Sequence, residues 1–171
     1  MRTFKFFAFT LMLALMLVTA ASAENPIVHR VSVGGPDACG GLGFPHPGCD
    51  ANFSLAAKQD ADGSVPGQYN DRFSQANGGG GFHAVIDCVS VVGNTAWVSG
   101  VITHGNFNGL DLTGLPVAAR VQDNGTSAND PADEISVSNV GDSRPCTDHV
   151  LYTLISAPEG QVKVSSQSVV H

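Results

Sequence analysis

The sequence predicts an all-β domain: a single antiparallel sandwich, or a closed or partly closed barrel, of about eight strands behind a cleaved signal peptide. Three observations predict it. Gly (20), Pro (9) and frequent Asn and Asp interrupt the chain about every ten residues, which suits short strands joined by turns and leaves little room for long helices. Two strand-like runs, 82–92 and 95–104, flank a two-residue Gly93-Asn94 break, the pattern of a β-hairpin. The chain opens on an export signal and carries an even number of cysteines, four, as disulfide-stapled exported domains do.

Residues 1–23 read as the signal peptide. Arg2 and Lys5 precede an unbroken apolar run from Phe6 to Val18, and Ala21-Ser22-Ala23 supplies small residues for cleavage. That run is shorter than the roughly 20 residues of a spanning helix, so no membrane anchor is expected. The expected location is extracellular, or periplasmic in a Gram-negative producer. Cleavage of 23 residues from 171 leaves 148, enough for one domain with one core. It removes two of the 8 Lys+Arg and leaves 6 against 15 Asp+Glu, a net charge of −9. So few cations disfavour a nucleic-acid partner, whose phosphates need neutralising.

Residues 24–50 are expected to be irregular, with Cys39 and Cys49 closing a short Gly- and Pro-rich loop. The β domain should run from 51 to 166, before a disordered tail at 167–171. Its strands are read at 52–59, 65–73, 82–92, 95–104, 117–123, 134–140, 149–155 and 161–165. Asp60-Ala61-Asp62-Gly63 reads as a turn, and Pro66-Gly67 as a bulge or an edge. Four cysteines allow three pairings, of which Cys39–Cys49 with Cys88–Cys146 as a long-range staple is the favoured one. A zinc site is disfavoured, because no C-x-x-C pair occurs.

An uninterrupted hairpin about Gly93-Asn94 would place Phe82, Ala84, Ile86, Cys88, Trp97, Ser99 and Val101 on one face. His83, Val85, Asp87, Val89, Val91, Ala96, Val98, Gly100, Ile102 and His104 would share the other. Both sets are mainly apolar, so the hairpin should be central and sheltered on both sides. His83 should lie opposite His104.

Four groups of residues could carry chemistry. His83, His104 and Asp87 offer two imidazoles and a carboxylate for metal binding or acid–base catalysis. The plainer account makes Asp87 a buried carboxylate paired with Arg120 or Arg72. The oxygen-rich loop 123–134 could hold Ca²⁺ through Asp123, Asn124, Asp130 and Asp133, although it lacks EF-hand spacing and Asx turns explain it as well. Tyr69 and Phe107 are candidate surface aromatics for a glycan, whereas Trp97 fits the core better. Nucleophilic catalysis lacks Gly-x-Ser-x-Gly, His-Glu-x-x-His and a spare thiol, so no catalytic residue is assigned. Asn52-Phe53-Ser54 and Asn124-Gly125-Thr126 are glycosylation sequons.

Several segments, taken together, resemble an uncharacterised family of secreted bacterial β-rich proteins. They are Asp62-Gly63-Ser64-Val65 with Gly67-Gln68-Tyr69, the stretch from Gly81 to Cys88 with Val92-Gly93-Asn94, and Ala96-Trp97-Val98-Ser99-Gly100-Val101-Ile102-Thr103. Val121-Gln122-Asp123-Asn124-Gly125, the stretch from Asp130 to Ser136, and Gly160-Gln161-Val162-Lys163-Val164 complete the likeness, which spans roughly residues 50 to 165. The resemblance implies export, a β fold and a bacterial source, and it assigns no activity. The leading expectation is therefore a non-catalytic binding or structural module, meeting an extracellular protein, a glycan or a small molecule. A carrier of a small apolar ligand in a barrel cavity, and a hydrolase using His83, His104 and Asp87, are the alternatives.

Overall fold

The computed structural model describes residues 27–36, 52–75, 78–125, 127, 129–157 and 160–167. The expected signal peptide, the Cys39–Cys49 loop and most of the expected tail lie outside those residues. Among the described residues there is no α-helix, and no helix long and apolar enough to cross a membrane. The strands are β1 (Ile27–Pro36), β2 (Asn52–Asp60), β3 (Gly67–Arg72), β4 (Gly80–Val92), β5 (Thr95–Phe107) and β6 (Leu110–Asp111). β7 (Pro116–Gln122), β8 (Glu134–Ser136), β9 (Asn139–Val140), β10 (Leu154–Ser156) and β11 (Gln161–Ser166) follow. A 3-10 turn spans Cys146–Asp148.

These strands form one curled antiparallel sheet, a half-barrel, in the order β10-β8-β7-β5-β4-β3-β2-β1-β11. β9 adds to β7, and β6 adds to β5. The concave side holds the core. Val31 and Val33, Phe53 and Leu55, Tyr69, Phe82 and Ile86, Val98 and Ile102, Val117 and Val121, Ile135 and Val162 are all buried there. They recur at every second position along β1, β2 and β7, as a strand with one covered face requires. Hydrogen bonds also run from arm to arm. The Val162 N–H donates to Asp133 Oδ2 (2.6 Å) and the Val164 N–H to Asp123 Oδ2 (3.0 Å), so two carboxylates meet the outer edge of β11. An edge whose N–H groups are already bonded is a poor template for another strand.

The Gly93-Asn94 turn is where the sequence places it, with Val92 opposite Thr95. Gly93 has φ +61°, the sign a two-residue hairpin turn of type II′ needs at its first position. Further out, the register is interrupted twice. Asp87 is an extra residue on β4 between the pairs Ile86–Gly100 and Cys88–Ser99, and Thr103 is an extra residue on β5 between Ala84–Ile102 and His83–His104. The insertions lie on opposite strands and cancel, so His83 still faces His104.

Beyond Asp87 on β4, and beyond Thr103 on β5, the expected faces are exchanged, because one extra residue reverses which side each following residue points to. Phe82, Ala84 and Ile86 join Val89, Ala96, Val98 and Ile102 in the core. Cys88, Trp97 and Ser99 share the outer face with Val85 and Val101. Shelter on both sides holds around Trp97, which is 7% exposed, but Val92 (55%) beside the turn and Val85 (49%) and Val101 (43%) further out face solvent. Gly100 permits the first bulge: a Cβ there would lie 2.0 Å from the Val85 carbonyl oxygen.

Other strand boundaries also differ from expectation. Ile27–Pro36, within the stretch expected to be irregular, is a full strand between β2 and β11. β3 is an interior strand; at Gly67 a Cβ would stand 2.5 Å from that of Ala57 and 2.9 Å from that of Ile86. The 134–140 run breaks at Val137-Ser138, where Ser138 turns its hydroxyl to Tyr69 and Asp71. Residues 149–153 form a strap across the sheet, and only 154–156 pair as a strand. Among the described residues the sheet, with its short additions, has eleven strands where about eight were expected.

Candidate functional site on the outer face of the sheet

The outer face divides into a covered half and an open half. Over the covered half lies the strap. The Cys88–Cys146 disulfide, joining residues 58 apart in sequence, pins its start to β4. Trp97 on β5 donates from Nε1 to the Val150 carbonyl (2.9 Å), and the His149 ring lies 4.6 Å from the indole. Ser90 Oγ meets His149 Nε2 at 2.7 Å, and Arg120 donates to the Tyr152 carbonyl (3.2 Å) while its guanidinium sits 5.6 Å from the centre of the Trp97 ring. The cation over the ring adds an electrostatic contact to the hydrogen bond. His149 takes φ +48°, which turns the backbone so that carbonyls at 150 and 152 meet these donors instead of a strand ladder.

The strap ends in a polar cluster. Arg144 makes a two-pronged contact with Asp142, and the Tyr152 hydroxyl donates to the same carboxylate (2.7 Å). The Arg144 hydrogen bond, and then that of Tyr152, hold the Asp142 carboxyl well below the usual carboxylate range. Burial first, and Asp142 second, push the Tyr152 phenol up to about 12.

On the open half, register aligns four polar side chains across four strands: Ser54 on β2, Asn70 on β3, His83 on β4 and His104 on β5. At the usual spacing between strands this row is about 14 Å long. Asn70 Nδ2 donates to Ser54 Oγ (3.4 Å), so its Oδ1 is the atom that meets His83 Nδ1 (2.5 Å). The rings of His83 and His104 stack with centres 5.1 Å apart and planes 26° from parallel. Thr103, the bulged residue, gives its one hydroxyl proton to the His83 carbonyl (3.1 Å), and its oxygen lies 3.3 Å from His104 Nδ1. Next to the row lie Val85 and Val101, with Pro116 opposite Val101.

The structure thus unites His83 and His104 and leaves Asp87 apart. Asp87 is four residues along β4 from His83, about 13 Å at strand rise, with Val85 between them on the same face. It is exposed, which replaces the expected buried carboxylate paired with Arg120 or Arg72. Among the described residues no three His, Cys, Asp or Glu side chains gather in a metal-holding group.

In the acidic loop, Asp123 accepts from the N–H groups of Gly125 and Val164, and Asp133 from those of Asn124 and Val162. Asn124 donates to the Ala132 carbonyl (2.8 Å), and Asp130 accepts from the Ser127 N–H (2.8 Å). Tyr69, expected at the surface, is 1% exposed, with its hydroxyl 2.6 Å from Ser138 Oγ; Phe107 is 41% exposed, as a surface aromatic should be. An open depression lies over β1 and β2, where Arg30, Ser32 and Lys58 meet Pro66.

Sequence reasoning missed Asn70, Ser54 and Thr103 as supports of the histidine pair. Asn70 belongs to the pair through the β3–β4 register, which no short turn fixes, and Thr103 through a bulge that alternation does not announce. No family model, no curated protein and no solved structure matches this chain.

Proposed function

We propose that the protein is an exported, non-catalytic β module that binds an extracellular partner, a glycan or a protein segment, through the open half of its outer face. The observation that carries this reading is the division of the sheet. The concave side is occupied by the protein's own apolar side chains, whereas the outer face offers the Ser54–Asn70–His83–His104 row beside exposed Val85 and Val101. Mixed polar and apolar surface of this kind suits recognition of a partial, wet interface. The Cys88–Cys146 bond is compatible with an extracellular location.

The test is a binding titration of the disulfide-intact protein on immobilised extracellular polysaccharides and secreted proteins, with Asn70→Ala and Val101→Glu compared. The reading expects saturable binding that each substitution weakens about tenfold, or about 1.4 kcal/mol, while Trp97 emission stays unchanged. Binding indifferent to both substitutions contradicts it. So does a stoichiometric apolar ligand recovered by solvent extraction, which would move the function to the concave side.

A further inference from the structure

The geometry points to the cross-strand pair His83–His104 as a binding site for one borderline divalent metal ion, with Cu²⁺ the tightest and Ni²⁺ and Zn²⁺ weaker. Ca²⁺ and Mg²⁺ prefer oxygen ligands and should not compete.

The hydrogen bonds decide which nitrogens are available. Thr103 has a single hydroxyl proton and gives it to the His83 carbonyl, so its oxygen can only accept from His104. His104 Nδ1 is therefore the protonated nitrogen of the neutral ring. Asn70 Oδ1 is likewise an acceptor, so His83 Nδ1 carries its proton too. Both neutral imidazoles then have a bare lone pair on Nε2, and neither Nε2 takes a hydrogen bond from a described residue. A metal-binding histidine typically has this arrangement, its far nitrogen donating to an oxygen that fixes tautomer and ring orientation.

Distance supports the same assignment. An ion about 2.0–2.1 Å from each Nε2 lies about 3.2 Å from each ring centre, so two rings sharing it stand about 4.5 Å apart at a right angle and about 5.2 Å apart at a tetrahedral angle. The observed separation is 5.1 Å. With the planes only 26° from parallel the in-plane lone pairs run nearly side by side, so capture of the ion requires one ring to turn well away from the stack about its Cβ–Cγ bond. His104 is exposed and His83 half-buried, so water can fill the remaining positions.

The site stands independently of the partner proposed above, because the metal ion alone is the probe. Calorimetric titration of the disulfide-intact protein with Cu²⁺, Ni²⁺, Zn²⁺ and Ca²⁺ should show one site with micromolar-range affinity for Cu²⁺. Electron paramagnetic resonance of the Cu²⁺ form should show two nitrogen ligands. His83→Asn and His104→Asn should each abolish that site and leave at most one nitrogen, while Asn70→Ala and Thr103→Val, which keep both ligands, should weaken it about 10- to 100-fold. All four positions lie outside the core, and Trp97 emission reports that the fold persists. Cu²⁺ affinity unchanged in either histidine variant, or weaker than about 1 mM in the wild type, overturns the assignment.

Discussion

Around Trp97 the β4–β5 hairpin is covered on both faces; at its far end the outer face of the same two strands meets solvent. Trp97 lies under a strap that a disulfide, two side-chain-to-carbonyl hydrogen bonds and the tilted ring of His149 hold in place. His83 and His104, on the same face, have only each other and their short polar neighbours. The apolar content of the strands does not separate these ends, since Val85 and Val101 are as hydrophobic as Val89 and Val98. What separates them is the pair of bulges, which redirects Ile86 inward and leaves Val85 outward, together with the reach of the strap.

The largest effect expected at the covered end comes from removing its staple. Replacing Cys88 and Cys146 by Ala should cost about 4 kcal/mol of stability, the chain-entropy value for a loop of this length. Denaturant unfolding measures it, and Trp97 emission should shift to the red as the strap loosens. An unmoved spectrum would mean that the hydrogen bonds alone keep the strap down.

Next comes the contrast of neighbours. Ile86→Ala should cost about 3 kcal/mol by leaving a cavity in the core, whereas Val85→Ala should stay within about 0.5 kcal/mol. Equal losses would contradict the exchange of faces at the bulge. Asp133→Ala removes acceptors from two backbone N–H groups, at Asn124 and Val162, and should cost about 2 kcal/mol by the same measurement.

The smallest effect concerns the end of the strap. Because folding depresses the pKa of Asp142, its contribution is complete above the ordinary carboxylate value and fades as pH falls below it. Tyr152 behaves oppositely: folding raises its pKa, so its contribution is complete below 10.0 and is lost as pH rises from there through about 12. Asp142→Asn should move the Tyr152 ionisation midpoint back toward 10.0, read by phenolate absorbance with Tyr152→Phe as blank. An unchanged midpoint would leave burial as the whole cause.

How much of this was legible in the residues depended on whether the determinant was local. Gly93-Asn94 fixed a turn and with it the pairing of Val92 with Thr95, whereas the pairing of His83 with His104 follows from that turn only because the two bulges cancel. The bulges at Asp87 and Thr103 left no mark, because a polar residue between apolar ones is what uninterrupted alternation also shows. β1 was hidden by Gly34-Gly35-Pro36 at its end, although Val31 and Val33 alternate correctly. Tyr69 read as surface because its hydroxyl partner, Ser138, lies 69 residues away, beyond any local pattern. The acidic loop was visible as a loop, but its role as acceptor for the β11 edge required the curl of the whole sheet.

Cross-strand proton contacts within the hairpin, measured by nuclear Overhauser spectroscopy on the oxidised protein, bear most directly on how the two ends come to differ. Contacts of Ile86 with Gly100 and of His83 with His104, in one and the same spectrum, are what two cancelling insertions produce. Ile86 facing Val101 in an unbroken ladder would return Val85 to the core side, and the open face with its histidine pair would go with it.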